Sequence, residues 1–388
     1  MIDDDLLARL SESSPTGTTA TQSVYRRLSV LETLFEREVV SGSSVSLPRE
    51  RRLSLWRHGF TSRSGVLFDV EEGRYDEYLS DYQLERLDSL GGPWGAVVKN
   101  KLAQYLLLDA FREHLPALYG VLDGGELKRR PAFASYEGSG PRRIDAVPWL
   151  RDHLDGEGAL VLKPIYGYGG SGVYVCEAVG GDDEDGDRSN GDYLVNGEAK
   201  TAAEFSALVE ELEEYLVWEF VEQAGYADDL FPDAVHTLRV LTLWDPDADE
   251  PFVSKAVHRV GTADSAPVDN WSRGGLSAEI REDGTLGPAA YWSDDDHERR
   301  WFQRHPDTDA RIEGTEIPGW SAIRDRLLEL ASSMPYLPRV GWDVVVTGEG
   351  EFVVLELNSH AGVETLQVHG PLLRDERTRR FYEYHGFA

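Results

Sequence analysis

The sequence predicts an α+β protein with a mainly helical N-terminal region, and three observations carry that prediction. Within residues 24–40 the apolar positions Tyr25, Leu28, Leu31, Leu34 and Phe35 recur at helical spacing. Within residues 160–175 an apolar run, a dense set of glycines and a β-branched, aromatic run follow one another, which is the pattern strand, loop, strand. Residues 339–346 and 351–358 are apolar strands joined through Thr347-Gly348-Glu349-Gly350 as a hairpin.

The remaining elements follow in order. About the first 20 residues are Ser/Thr-rich with a proline and a glycine, a composition that frays. Residues 47–82 mix aromatics and charges and read as helices with loops. Residues 100–111 form a strongly helical stretch with Lys101 near its start. Residues 116–119 and 129–133 lie between helix and strand, and 142–154 read as a short helix leading to a strand at Ala159. After the glycine-rich segment, 180–191 is a charged, exposed loop, and Tyr193-Leu194-Val195 returns as a strand. Residues 201–214 form an amphipathic helix with Phe205, Leu208 and Leu212 on one face. An apolar strand spans 215–223. Residues 236–244 and 251–260 alternate like antiparallel strands, 261–276 is loop, and 321–332 is helix.

At 388 residues the chain has room for one large core or for two to three smaller ones. No run of about 18 apolar residues exists, so no membrane span is expected. The start, Met1-Ile2-Asp3-Asp4-Asp5, is acidic and polar, unlike a secretory signal, and the cytoplasm is the expected compartment. Cys176 is the single cysteine, which excludes an internal disulfide and a cysteine-based zinc site; within a strand it reads as a small packed hydrophobe. The net charge of −31 repels nucleic acid and anionic membranes. It also repels ATP unless cations gather locally. The acids are spread along the chain, as in Asp294-Asp295-Asp296, and lysine is scarce beside arginine, which suggests a halophilic protein of a high-salt cytoplasm, with an ordinary acidic protein as the alternative.

Chemistry concentrates first at Lys163, which precedes Gly167, Gly169, Gly170 and Gly172. Glycines this dense leave backbone N–H groups uncovered, and such groups cradle phosphate oxygens. Gly167, Gly169 and Gly172 spell G-x-G-x-x-G, but that fingerprint must open a helix, and here Val173-Tyr174-Val175-Cys176 reads as strand. No Gly-Lys-Ser/Thr follows, which excludes a Walker A loop. A protein-kinase loop is excluded by the absence of His-Arg-Asp and Asp-Phe-Gly triplets. A lysine before a flexible hairpin remains, either a nucleotide phosphate site or a bare glycine-rich hairpin.

Downstream, Glu219 lies within an apolar run and Glu222 at its exit. A carboxylate in a buried strand needs a partner, whereas an edge-strand acid facing water does not, and for Glu219 alone the second reading is the better one. Arg239 and Arg259 occupy strand positions where arginine is unusual. The loop Asp269-Asn270-Trp271-Ser272-Arg273-Gly274-Gly275 is polar enough to bind a second substrate. Glu356 and Asn358, two apart, share one strand face, and Asp343 on the partner strand can reach it. Three oxygen donors on one face suit Mg2+. A purely structural pair of buried acids requires basic partners, and none alternates on these two strands, so metal is the favoured reading.

In this order the motifs resemble the ATP-grasp superfamily, and the chain is most similar to its sugar-transfer-associated branch. The resemblance covers about residues 100–362, judged by motif order. It implies an ATP-grasp fold, two α+β subdomains gripping ATP between antiparallel sheets, with residues 1–97 as the helical region, 98–217 as the smaller subdomain and 218–388 as the larger. It further implies that Lys101 and Lys163 hold the ATP phosphates and that 167–172 is a mobile lid. Glu219 and the backbone of Phe220 and Val221 would border the adenine, and Glu222 would bind the ribose. Lys163, Arg239 and Asn270 would face the transferred phosphate and the intermediate. Asp343, Glu356 and Asn358 would hold two Mg2+, with Glu356 bridging and Mn2+ as a substitute.

The activity implied is a ligase that activates a small-molecule carboxylate as an acyl phosphate and joins it to an amine or thiol, with an association to glycan or cell-surface pathways. A kinase acting on a hydroxyl acceptor and a non-catalytic nucleotide-binding protein are the alternatives. No motif speaks to the acceptor, to the oligomeric state, or to the roles of residues 1–99 and of the tail after Gly362.

Overall fold

The computed structural model describes residues 18–40, 45–87, 90–136, 140–167, 171–179 and 192–387. The fraying expected before Thr18, the charged loop expected at 180–191, and Gly169 and Gly170 of the proposed lid lie outside these residues. The chain divides into two compact units. One comprises Met1–Leu90, Asp294–Glu298 and Gly362–Ala388, the other Gly91–Ser293 and Arg299–Ala361.

The first unit opens with helices α1 (Thr18–Val40), α2 (Arg49–Arg57), α3 (Ser62–Leu67) and α4 (Asp81–Arg86). The starts of the last two are fixed by side chains that satisfy orphan amides. Thr61 accepts from Ser64 N to cap α3, and Ser80 with Gln83 forms a capping box on α4. Glu38 of α1 is buried, and its carboxylate accepts from Arg52 Nη1 at 2.6 Å and from Ser62 N at 2.7 Å. Those bonds offset the desolvation of the acid.

The second unit begins with α5 (Gly92–Val97) and α6 (Lys101–Leu107). The helix expected over 100–111 breaks at Leu108, and a 3-10 segment, Asp109–His114, follows. Asn100 caps α6, its side chain accepting from Ala103 N at 2.8 Å. Next come β1 (Leu118–Asp123), β2 (Glu126–Lys128), β3 (Arg143–Asp145), α7 (Ala146–Glu157), β4 (Ala159–Pro164), β5 (Tyr174–Ala178), β6 (Tyr193–Val195), β7 (Glu198–Lys200), α8 (Ala202–Glu211) and β8 (Tyr215–Glu219). The eight strands form one sheet in the order β3-β2-β1-β8-β4-β5-β6-β7. The helix expected from residue 142 starts four residues later, because 143–145 pair with β2 and Asp145 serves as the N-cap.

One face of this sheet packs on α7 and α8 through Leu150, Leu154, Phe205, Val209 and Val217. The other face carries a smaller cluster in which Tyr105 of α6 meets Val161, Ile165 and Trp218. The first sheet and α6 thus share a core, which sets Lys101 beside the loop that follows β4.

After α9 (Gly225–Leu230) the second sheet is built from β9 (Thr237–Asp245), β10 (Glu250–Val260), β11 (Leu276–Ile280), β12 (Leu286–Ser293) and β13 (Glu298–Phe302), then α10 (Trp320–Ser332), β14 (Arg339–Gly348) and β15 (Glu351–Asn358). Its order is β13-β12-β11-β10-β9-β14-β15. A large apolar core of Val240, Leu276, Ile323, Leu327, Trp342 and Val344 lies between this sheet and α10. The pleat therefore turns the alternate residues of β9, β14 and β15 to the opposite face, where the polar side chains sit.

The chain then returns to the first unit with α11 (Glu364–Gln367) and α12 (Glu376–Tyr384). There the buried Gln367 amide pairs with the Leu79 backbone, accepting from Leu79 N at 2.8 Å and donating to Leu79 O at 2.9 Å. Among the described residues no helix is long and apolar enough to cross a membrane.

Candidate active site

Strand register assembles the site. Arg239 on β9 lies opposite Asp343 on β14, and Asp343 lies opposite Glu356 on β15. Thr237, two residues before Arg239, lies opposite Arg259 on β10. Asn358 is two residues beyond Glu356 and opposite Gly341. Directly opposed residues share a face, so these side chains form one polar row across four strands. A register shift between Asp343 and Val344 marks a bulge beside Glu356, a local feature common next to functional sites.

Opposite that row stand Lys101 and Lys163. Lys163 ends the buried part of β4, and Lys101 opens α6. The Lys101 amide donates to Ile165 O at 3.0 Å. Its ammonium donates to Gly167 O at 2.9 Å and lies 3.4 Å from Glu356 Oε1. One lysine thus links the start of the glycine loop to β15. Together these residues line a cavity of about 200 Å3 that also includes Gly167, Ser171, Asp269 and Asn270. Gly172 closes the described part of the loop with φ +72, and a Cβ there would come within 2.8 Å of the Tyr215 hydroxyl, so only glycine fits.

The electrostatics are dominated by paired charges. Arg239 donates to both oxygens of Asp343, Nε to Oδ1 at 2.5 Å and Nη2 to Oδ2 at 2.9 Å. Asn358 Nδ2 donates to the same Oδ2 at 3.2 Å, and Arg259 Nη2 stands 3.8 Å away. Burial on its own raises the Asp343 carboxyl, but Arg239 and Arg259 outweigh it and hold the group below its ordinary range. Basic partners for the buried acid therefore exist, contrary to the sequence expectation. They come from β9 and β10, not from the two acid-bearing strands.

Arg259 is fastened in turn. Its Nε donates to Thr237 Oγ1 at 2.9 Å and its Nη2 lies 3.1 Å from Asp269 Oδ1. Asp269 also accepts from Thr237 N at 2.7 Å. Lys163 differs from the other cations: burial pushes its amine down to about 8, Lys101 adds to that push, and Glu356 and Asp343 oppose it.

The expected substrate loop is held by its own backbone. Asn270 Oδ1 accepts from Ser272 N at 3.0 Å, and Asn270 O accepts from Gly275 N at 3.0 Å. Gly275 has no room for a side chain, since a Cβ would lie 2.5 Å from Asp269 O.

A second cavity, of about 620 Å3, is lined by Phe220, Val221, Glu222 and Gln223 beyond β8, facing Val175 and Pro267. Gln223 anchors this segment. It accepts from His236 N at 2.8 Å and donates to Asp228 Oδ1 at 2.9 Å and to Ala234 O at 3.0 Å. Glu219 lines neither cavity; it is exposed and accepts from Ala117 N at 2.8 Å. Cys176 is fully buried, with burial pushing its thiol up to about 12, a packed side chain.

Lys101, Lys163, Gly167, Gly172, Arg239, Asn270, Asp343, Glu356 and Asn358 thus stand around one part of the fold, and Phe220, Val221 and Glu222 line a second cavity. Sequence reasoning did not foresee that Thr237 and Asp269 fasten Arg259, or that Gln104 holds the backbone of Leu357 between Glu356 and Asn358. Gln104 carried one available signal, a polar residue on the buried side of a helix.

Among the described residues no group of three His, Cys, Asp or Glu side chains is placed to hold a metal ion. The donors present, two carboxylates and an amide oxygen, are hard oxygen ligands of the kind Mg2+ takes with substrate phosphates completing its shell.

The profile of the family described as sugar-transfer associated ATP-grasp matches residues 95–380. Among solved structures, the chain is similar to the ATP-grasp ligase PsnB complexed with a minimal precursor, at 14% identity over 77% of this chain and 64% of that one, TM-score 0.36. It is similar to an L-amino acid ligase from Bacillus licheniformis, at 9% identity over 74% and 44%, TM-score 0.31. It is also similar to N5-carboxyaminoimidazole ribonucleotide synthetase from Thermus thermophilus, at 10% identity over 68% and 46%, TM-score 0.32. The chain thus spans 64% or less of the length of each of these proteins. No curated protein matches it.

Proposed function

The chain belongs to the sugar-transfer-associated ATP-grasp family, and from that premise we propose that it is an ATP- and Mg2+-dependent ligase that activates a carboxylate as an acyl phosphate and joins it to an amine or thiol. The observation that carries the reading is the cavity in which Lys101, Lys163, Arg239 and Arg259 gather against Asp343, Glu356 and Asn358. In a chain of net charge −31, this small cavity gathers four cations against three acids, Asp269, Asp343 and Glu356, and so lacks the excess of acid found in the chain as a whole. Phosphoryl transfer asks for positioning and charge neutralisation more than for a nucleophilic side chain, and this cavity supplies both.

In the first step a carboxylate oxygen of the substrate attacks the γ-phosphorus, the bond to the β–γ bridging oxygen breaks, and ADP leaves. In the second the amine or thiol attacks the carbonyl carbon, phosphate departs, and the nucleophile gives up its proton. Lys163 and Lys101 would meet the phosphate oxygens from the first sheet and α6. Arg239 would turn from Asp343 to the transferred group, and Arg259, fixed by Thr237 and Asp269, would stand beside it. The Phe220–Glu222 backbone would border the base, with Glu222 at the ribose. Glu356 and Asn358, with Asp343 once Arg239 releases an oxygen, would hold Mg2+ or Mn2+, which would supply charge neutralisation to the phosphates. Closing the 167–172 loop would exclude water from the acyl phosphate.

The test is product analysis with ATP, Mg2+ and a panel of carboxylates with amines or thiols. The reading requires ADP, free phosphate and a joined product, all lost in Lys163→Ala. ADP with a phosphorylated hydroxyl acceptor assigns a kinase instead. Tight Mg-ATP binding with no acceptor-dependent turnover assigns a nucleotide-binding protein.

A further inference from the structure

The first unit holds a cavity of about 640 Å3, whose described lining residues all belong to that unit. Its wall is apolar: Leu31, Leu34 and Phe35 of α1, then Trp56, Phe60 and Phe387. Three of these large side chains are unusually open, Leu31 at 52%, Phe35 at 63% and Trp56 at 44%. With Leu28 they form a continuous strip, because positions 28, 31 and 35 fall on one helix face. A contiguous exposed apolar surface of this kind marks a binding site more often than chance exposure does.

The charges around it are the second observation. Helix α2 reads Arg-Glu-Arg-Arg-Leu-Ser-Leu-Trp-Arg, four arginines to one glutamate in a chain of net charge −31. Arg51 and Arg52 are used inside the unit, on the Tyr75 hydroxyl at 2.7 Å and on Glu38 at 2.6 Å. Among the described residues Glu38 is the one acid that lines the cavity, and its oxygens are engaged by Arg52 and Ser62. Arg57 lines the cavity, is exposed, and makes no ion pair among the described residues. Arg86 lies over the Tyr82 and Phe387 rings, 5.6 and 5.2 Å from their centroids, which lays its guanidinium along the apolar wall. Arg57 puts a cation on the rim, and His58 adjoins it there.

An apolar trough with a cationic rim, whose one acid is already engaged, selects a ligand with an apolar body and one anionic end. We propose that this cavity binds a single-chain amphiphilic carboxylate, its tail lying along Leu31, Phe35 and Trp56 and its head meeting Arg57. The volume lies within the roughly 300–1,000 Å3 of small-molecule sites, and guanidinium groups pair with carboxylate in a planar, two-pronged geometry. This site lies outside the phosphate cavity and does not depend on the ligase reading.

The test is calorimetric titration of the full-length protein with sodium dodecanoate below its micellar concentration, alongside dodecanol and butyrate. Saturable one-to-one binding of dodecanoate is expected, with dodecanol at least tenfold weaker and butyrate silent. Phe35→Asp and Arg57→Ala should each weaken dodecanoate at least tenfold, while Lys163→Ala leaves it unchanged. Phe35 is exposed, so Phe35→Asp should keep the native circular dichroism; Leu31→Gln serves if it does not. Absence of saturable binding, equal affinity for dodecanol, or indifference to both apolar-strip variants overturns the proposal. So does self-association through this face that dodecanoate fails to compete away, which would assign the strip to a second copy of the chain.

Discussion

The side-chain amide of Gln104 pairs with the backbone of Leu357 in both directions, Nε2 donating to Leu357 O at 2.9 Å and Leu357 N donating to Oε1 at 2.9 Å. Strand β15 is the edge of its sheet, and a buried edge with unpaired backbone groups is costly. Gln104 acts there as a one-residue substitute for a further strand. It also fixes Glu356 and Asn358, the neighbours of Leu357, against the helix that carries Lys101. Gln104→Ala should therefore destabilise the protein by about 2–6 kcal/mol, since two backbone groups lose their partners at about 1–3 kcal/mol each. Urea denaturation measures this, and a loss below about 0.5 kcal/mol would show that water replaces the amide freely. In enzyme that remains folded, KM for ATP should rise, because the Lys101–Glu356 spacing loosens.

The Arg239–Asp343 pair offers a sharper test. Asp343 is buried, the Arg239 side chain is only 12% exposed, and the contact is bidentate, so removing one strands the other. Arg239→Met or Asp343→Leu alone should each cost about 3–5 kcal/mol, whereas the double variant should recover much of the loss. Additive losses would mean that the two side chains do not depend on each other. Activity should vanish in all three variants, which separates the stability role from the catalytic one.

Part of this site was legible in the sequence, and the difference has a physical cause. Lys163 with its glycines, and Glu356 with Asn358, announce themselves because their spacing is local: a strand period of two or a glycine run needs no knowledge of the partner strand. The pairing of Asp343 with Arg239, 104 residues away, depends on which strands become neighbours, and alternation within one strand does not encode that. The strands β11 to β13 escape a sequence reading for a similar reason. Sequences such as Leu276-Ser277-Ala278-Glu279-Ile280 and Leu286-Gly287-Pro288-Ala289-Ala290 are rich in small residues and carry no clean period, yet inside a sheet Ala289 and Ala290 are fully buried. The β1–β2 hairpin did have a local signal, Asp123-Gly124-Gly125 between Leu122 and Leu127, with both glycines at positive φ. The return of the tail from Gly362 to the first unit rests on Gln367 and Leu79, 288 residues apart, and has no local signature.

Acid stability follows from His258. The ring is fully buried; in the tautomer that donates Nδ1–H to Arg259 O at 3.0 Å, Nε2 accepts from the Tyr226 hydroxyl at 2.9 Å. Burial pushes the imidazolium down to about 4, and His236 beside it is shifted in the same direction by its own burial. With an unfolded value of about 6.5, the unfolded chain binds more protons than the native one between about pH 4 and 6.5. Stability is thus complete above about pH 6.5 and declines as pH falls toward 4, by up to about 3 kcal/mol from His258. Carboxylates titrate over the same range, so the comparison is with His258→Gln. Unfolding free energies at about pH 7.5 and about pH 5 should differ less in the variant than in the parent, and equal differences would remove His258 from the account.

Lys163 titrates in the opposite direction on ligand binding. Without nucleotide its amine is held down to about 8 by burial and by Lys101, so near pH 8 a substantial fraction is neutral. Phosphate oxygens placed against it favour the charged form and raise the value. Mg-ATP binding should therefore take up protons near pH 8 and almost none at about pH 6.5, where the amine is already charged. Calorimetry in buffers of different ionisation enthalpy reads the uptake directly. Lys163→Arg keeps a positive charge that stays protonated at every accessible pH, so the buffer dependence should disappear while some binding survives. Buffer-independent heats near pH 8 in the parent protein would mean that the phosphates do not reach Lys163, and the proposed pose of the nucleotide would fall with them.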